Sequence, residues 1–228
     1  MKQKKCLELL ESAQYVKKRG KVDRKIVMAC RLENAKQAIG TIDPGCEIYG
    51  FTKGQFSLID ILEHCLDQIG PSDITVSTWS AASGDIRAAF RLMQENRIKS
   101  MRFIIDSSFK GRKPEFCKEL LQKFGADCIR VSSVHAKFMT MKNDRYNLVI
   151  RTSMNLNNNP RFENFEISDD PELMSFMTEI VDEIWKTQKA HEGFECSRSA
   201  NDNKFSTLFN NGSIVPAHPS DLITGKLA

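Results

Sequence analysis

From residue 46 onward the apolar positions switch repeatedly between two periods. Short apolar runs at 46–49, 74–79, 101–106 and 128–131 have the length and content of buried strands, the third being apolar enough for a central one. Between them apolar residues recur at helical spacing: Leu58, Leu62, Cys65 and Ile69, then Ile86, Ala89, Phe90 and Met93, then a segment from Pro114 to Phe124. The ends of these segments carry their own signals. Ser57 with Asp60 three residues later forms a capping box, Pro71-Ser72-Asp73 closes that helix, Pro114 suits a first turn, and Gly125 is a stop. Strand–helix units in succession predict an α/β sheet with parallel pairs and helices on its faces.

Beyond residue 131 the pattern changes. Residues 134–166 read as two extended runs around a polar turn, with Leu148-Val149-Ile150 as the apolar centre of the second. No helix separates these strands, so the sheet is expected to be mixed, though largely parallel. Asp169-Asp170-Pro171 starts a last helix that runs to about Lys189, with Leu173, Phe176, Met177, Ile180 and Ile184 expected inward. At the other end, residues 2–19 read as a helix, with Leu7 and Leu10 on one face and Gly20 as its stop, and a second helix is expected from Asp23 to Ala38. The chain thus divides into a basic helical extension (1–40), an α/β domain (45–189) and a polar tail (190–228) whose composition predicts disorder. No internal repeat is present, so one chain carries one copy of any site.

Composition narrows the class without naming a function. Charged residues make up 27% and apolar residues 41% of the 228, ordinary for a globular protein. No run is long and apolar enough to span a bilayer, and the basic start lacks a signal-peptide core, which predicts a cytoplasmic protein. Seven cysteines stand at 6, 30, 46, 65, 117, 128 and 196 without a Cys-x-x-Cys pair. They read as buried free thiols rather than disulfides or a zinc site. Residues 1–40 hold eleven Lys or Arg against four Asp or Glu, a balance that suits nucleic acid and equally suits a solvated helix face.

The candidate chemistry lies in residues 134–166. His135 and Lys137 are two apart, so a strand would aim both to one side, and Ser153 and Asn155 repeat that spacing past the second apolar run. A lone strand histidine commonly serves packing. An imidazole, an ammonium, a hydroxyl and an amide at adjacent strand ends suit a phosphate, with one nucleophile or base and several donors. Two weaker features accompany them. Thr52-Lys53-Gly54-Gln55 before a helix has amides and a lysine for an anion, but lacks the P-loop pattern, and Trp79 is a candidate base-stacking ring that reads equally as core.

His135-Ala136-Lys137, then Thr152-Ser153-Met154-Asn155, then Glu166 resembles the signature of the phospholipase D superfamily, H-x-K followed by G-S-x-N and a downstream Glu. The order of elements over about 45–188 fits as well. Two positions depart: Thr152 stands where the signature has glycine, and Lys142 takes the usual aspartate position, with Asp144 two residues later. The resemblance implies a phospholipase D-like fold and a phosphodiesterase needing no metal or other cofactor. It implies that His135 is the nucleophile, that Lys137, Ser153 and Asn155 hold phosphate oxygens, and that Glu166 orients a histidine. A single motif per chain implies a homodimer in which two copies complete one active site. Nucleic acid is the expected substrate and a membrane is not expected as a partner. A non-catalytic nucleic-acid-binding protein and a phospholipid phosphodiesterase are the alternatives.

Overall fold

In the computed structural model, which describes residues 24–29, 33–157 and 160–190, every strand belongs to one sheet. In chain order the strands are β1 (Arg24–Met28), β2 (Glu47–Thr52), β3 (Ser72–Thr78), β4 (Ile98–Asp106), β5 (Ile129–Ser132), β6 (Phe138–Lys142), β7 (Asn147–Thr152) and β8 (Glu163–Asp169). The helices are α1 (Ala35–Ile39), α2 (Leu58–Ile69), α3 (Ser83–Gln94), α4 (Phe109–Arg112), α5 (Pro114–Phe124) and α6 (Pro171–Thr187). The sheet order is β1-β2-β8-β7-β6-β3-β4-β5. Helical crossovers make β3, β4 and β5 parallel, whereas β6, β7 and β8 form an antiparallel meander that joins β3 on one side and β2 on the other. The expected mixed α/β sheet flanked by helices is therefore present. Its balance differs from the expectation: three pairings are parallel and four antiparallel.

Local chemistry explains most boundaries. The Ser57 amide and hydroxyl both donate to the Asp60 carboxylate, at 2.7 and 2.9 Å, which closes the capping box at the start of α2. Helix α5 begins at Pro114 and stops where Gly125 adopts φ +79°, a left-handed conformation that glycine accepts without strain. Asp170 caps α6 by accepting the amides of Glu172 and Leu173.

One helix expectation is overturned. Where Asp23–Ala38 read as a helix, Arg24–Met28 is a strand that pairs in parallel with β2, and only Ala35–Ile39 is helical. The β-branched Ile26 and Val27 favour the pleated edge, and Asn34 caps the short helix by accepting the Gln37 amide at 2.9 Å. The helix read over residues 2–19 and the tail from 191 onward lie outside the described residues.

The sheet buries both faces. Met101, Phe103, Ile105, Met139, Ile150 and Ile167 meet the apolar stripes of α2, α3 and α5 on one side. On the other, Ile104 and Phe138 pack against Val181 and Ile184 of α6. The buried stripe of α6 is Met174, Val181 and Ile184, with Met177 and Ile180 partly covered, while Phe176 turns out to solvent.

Candidate active site

Strands β6 and β7 meet with Phe138 opposite Arg151, which brings the residues just before β6 beside those just after β7. The Thr152 amide donates to the Lys137 carbonyl at 3.2 Å, one step beyond the ladder. His135 and Lys137 therefore sit in the approach to β6 rather than on the strand itself. The approach is held from outside. The buried Asp106 at the end of β4 accepts the Val134 amide at 3.1 Å through one carboxylate oxygen and the Ser108 amide at 2.9 Å through the other. His135 itself is exposed, its ring 6.0 Å from that of Trp79 in an edge-on arrangement. The Lys137 ammonium folds back and donates to the His135 carbonyl at 2.8 Å. Partial desolvation holds it below the ordinary lysine value, against the opposing pull of Glu163 and Asp106.

On the β7 side, Ser153 is bound closely to β8. Its hydroxyl donates to the Glu163 carboxylate and accepts the Asn164 amide at 3.0 Å, while its own amide donates to the Asn164 carbonyl at 3.3 Å. Asn155 turns toward the end of β3, where its amide oxygen lies 3.4 Å from the Thr78 hydroxyl; that hydroxyl makes a shorter bond, 2.7 Å, to the Ser80 carbonyl. Thr152, at the signature's glycine position, uses its hydroxyl twice. It donates to the Asn164 carbonyl at 2.6 Å and accepts the Met154 amide at 3.0 Å.

Two carboxylates lie at this end of β8, and they face different duties. Glu166 is in register with Arg151 on β7 and forms an ion pair with it at 2.5 Å. Glu163 is the carboxylate bonded to Ser153 and felt by Lys137. Lys137, Ser153 and Glu166 line one open cleft with Arg151 and Asn164, whereas His135 and Asn155 fall outside its lining. Sequence reasoning chose Glu166 and passed over Glu163 and Asp106. No sequence signal marks Glu163; its contact with Ser153 follows from the pairing of β7 with β8.

The other sequence candidates resolve plainly. In the Thr52–Gln55 turn the Gln55 side-chain oxygen accepts the Lys53 amide at 2.6 Å and the Thr52 hydroxyl at 2.9 Å, so these donors close the turn on itself. Trp79 is half-buried, with the Arg112 guanidinium 3.6 Å from its ring centre. The four described cysteines are free, and Cys46, Cys65 and Cys117 are buried.

No family model and no curated protein matches the sequence. Among solved structures, the chain is similar to Nuc of Salmonella typhimurium, a phospholipase D family member, at 15% identity over 54% of this chain and 82% of that one, with a TM-score of 0.40. It is similar in the same way to NucT from Helicobacter pylori, at 15% identity over 52% and 81% of the two chains and a TM-score of 0.41. A phosphatidylserine synthase of Haemophilus influenzae is similar at 13% identity over 60% of this chain and 36% of that one, with a TM-score of 0.40. The chemistry of the site rests on its own residues.

An exposed imidazole, a partly dehydrated ammonium and a hydroxyl tied to a carboxylate stand near neighbouring strand ends. Among the described residues no helix is long and apolar enough to cross a membrane.

Proposed function

We propose that this chain is a phosphodiesterase that cleaves nucleic acid without a metal, through a covalent phosphohistidine on His135. The observation that carries this reading is His135 itself, exposed against Trp79 on a loop anchored by Asp106, with Lys137 bonded to its carbonyl. An imidazole nitrogen attacks phosphorus and the bond to the leaving oxygen breaks. A second His135, from another copy of the chain, donates the proton which that oxygen takes up. Water then attacks the phosphohistidine, loses its proton to the second histidine, and the P–N bond breaks to free the enzyme. Lys137, Ser153 and Asn155 hold the non-bridging oxygens. Glu163 fixes the Ser153 hydroxyl, while Glu166, the carboxylate expected to orient a histidine, steadies Arg151.

One site per chain supports a homodimer, since a two-fold axis gives matching histidines facing one phosphate. The eleven Lys or Arg of residues 1–40 favour a polyanionic substrate, and the buried free thiols suit a reducing, cytoplasmic setting. Incubation with DNA and RNA in excess EDTA tests the reading. Cleavage that His135→Ala abolishes supports it, and binding without cleavage, unchanged by that substitution, replaces it with a non-catalytic binding protein. Turnover of phospholipid vesicles alone would select the lipid enzyme. Sedimentation of the active protein tests the dimer, which activity of a pure monomer would contradict.

A further inference from the structure

Helix α4 is only four residues long, and it and its flank carry three cations, one of which, Arg112, shares the Trp79 ring with the candidate nucleophile. Lys110, Arg112 and Lys113 fall within four positions, and none of them forms an ion pair with a carboxylate among the described residues.

Arg112 is the ordered member. Its guanidinium lies 3.6 Å from the centre of the Trp79 ring, donates to the Trp79 carbonyl at 2.7 Å, and donates through Nε to the Ser108 hydroxyl at 3.1 Å. A guanidinium stacked on an indole keeps its plane and its charge while losing little conformational freedom on binding. The same Trp79 ring meets His135 edge-on, and the same Asp106 fastens both Ser108 and the His135 loop. Arg112 and His135 are thus fixed to one frame, through one ring and one carboxylate, although they are 23 positions apart in the chain.

We propose that Arg112, held on Trp79, binds the phosphate that flanks the one cleaved at His135, so that the site takes a polynucleotide rather than an isolated diester. The inference rests on the phosphodiesterase reading and adds a substrate class to it. A single diester engages His135, Lys137 and Ser153 alone. A longer strand places its next phosphate over the α4 segment, where Lys110 and Lys113 add charge and Arg112 supplies direction.

The test compares wild type with Arg112→Ala and Arg112→Gln on two substrates, a single-stranded DNA 12-mer and bis(p-nitrophenyl) phosphate, with thermal melts to show that each variant is folded. For the 12-mer, KM rises about tenfold with kcat held within about twofold, and the slope of log Kd against log salt falls by about one charge contact. For the small diester, which has no flanking phosphate, kcat/KM remains comparable in all three proteins. Equal losses on both substrates, or no change on either, overturn the inference while leaving the phosphodiesterase reading intact. Wild-type protein that neither binds nor cleaves the 12-mer overturns both.

Discussion

The Thr152 hydroxyl donates to the Asn164 carbonyl at 2.6 Å and accepts the Met154 amide at 3.0 Å, so the side chain that departs from the glycine of the signature stitches β7 to β8. Its placement explains how a threonine occupies this position. The β7 end is closed by a side-chain bond, and Ser153 is still delivered to Glu163. Replacing Thr152 with glycine is expected to destabilise the fold by about 1–3 kcal/mol, through the lost bonds and the added freedom of the unfolded chain. Thr152→Ser keeps the hydroxyl and costs less. Urea unfolding of the two variants checks the order, and a glycine variant as stable as wild type would remove this account of Thr152.

Glu163 and Glu166 are expected to separate on substitution. Glu163→Gln weakens the charge on Ser153 and beside Lys137 and is expected to lower kcat by about 10- to 100-fold, the range seen when an orienting partner is lost. Glu166→Gln releases a largely surface ion pair with Arg151, worth about 0–1 kcal/mol, and is expected to leave kcat within a few-fold. Steady-state kinetics on one oligonucleotide decides between them, and the reverse ranking would support Glu166 as the orienting carboxylate.

Asp85 gives the fold a specific pH dependence. Burial in the first turn of α3, reinforced by the nearby charge of Asp60, pushes its carboxyl up to about 6. Because the folded state holds this proton more tightly than the unfolded chain does, the contribution to stability is full below about pH 4 and is lost as pH rises toward 6. Asp85→Asn removes that loss. The variant is expected to exceed wild type by about 1–3 kcal/mol at pH 7.5 and to match it near pH 4. A stability difference that is the same at both pH values would contradict this assignment.

Gly50 on β2 lies opposite Phe165 on β8, and the Phe165 ring occupies the space that a Cβ at residue 50 would need. Phe165 is fully buried and follows Asn164, which Thr152 and Ser153 both contact. Gly50→Ala is expected to cost about 1–3 kcal/mol by overpacking and to lower activity as β8 shifts. Thermal unfolding measured alongside activity checks both effects.

The parts of the fold that were legible in the sequence are those with local punctuation. Ser57 and Asp60 marked the start of α2, Pro114 and Gly125 bounded α5, and Asp170-Pro171 opened α6 at the residue where it begins. β1 was not legible, because five residues with Arg24 and Lys25 among them show too little alternation, and their pairing partner β2 lies some twenty positions on. α4 is shorter than one hydrophobic period can reveal. His135, Lys137, Ser153 and Asn155 could be singled out by spacing. The choice between Glu163 and Glu166 could not, since it depends on the β7–β8 register that sets Glu166 against Arg151. Asp106, which holds the His135 loop from another strand, left no sequence signal near the motif.

The central claim is that His135 becomes covalently attached to phosphorus. Alkaline quenching of the reaction with a single-stranded oligonucleotide in EDTA, followed by peptide mass spectrometry, tests it directly, because phosphohistidine survives base. The account predicts a nucleotide adduct on the peptide that contains His135, absent from His135→Ala. Cleavage that proceeds in the His135→Ala protein with no adduct at this residue would contradict it.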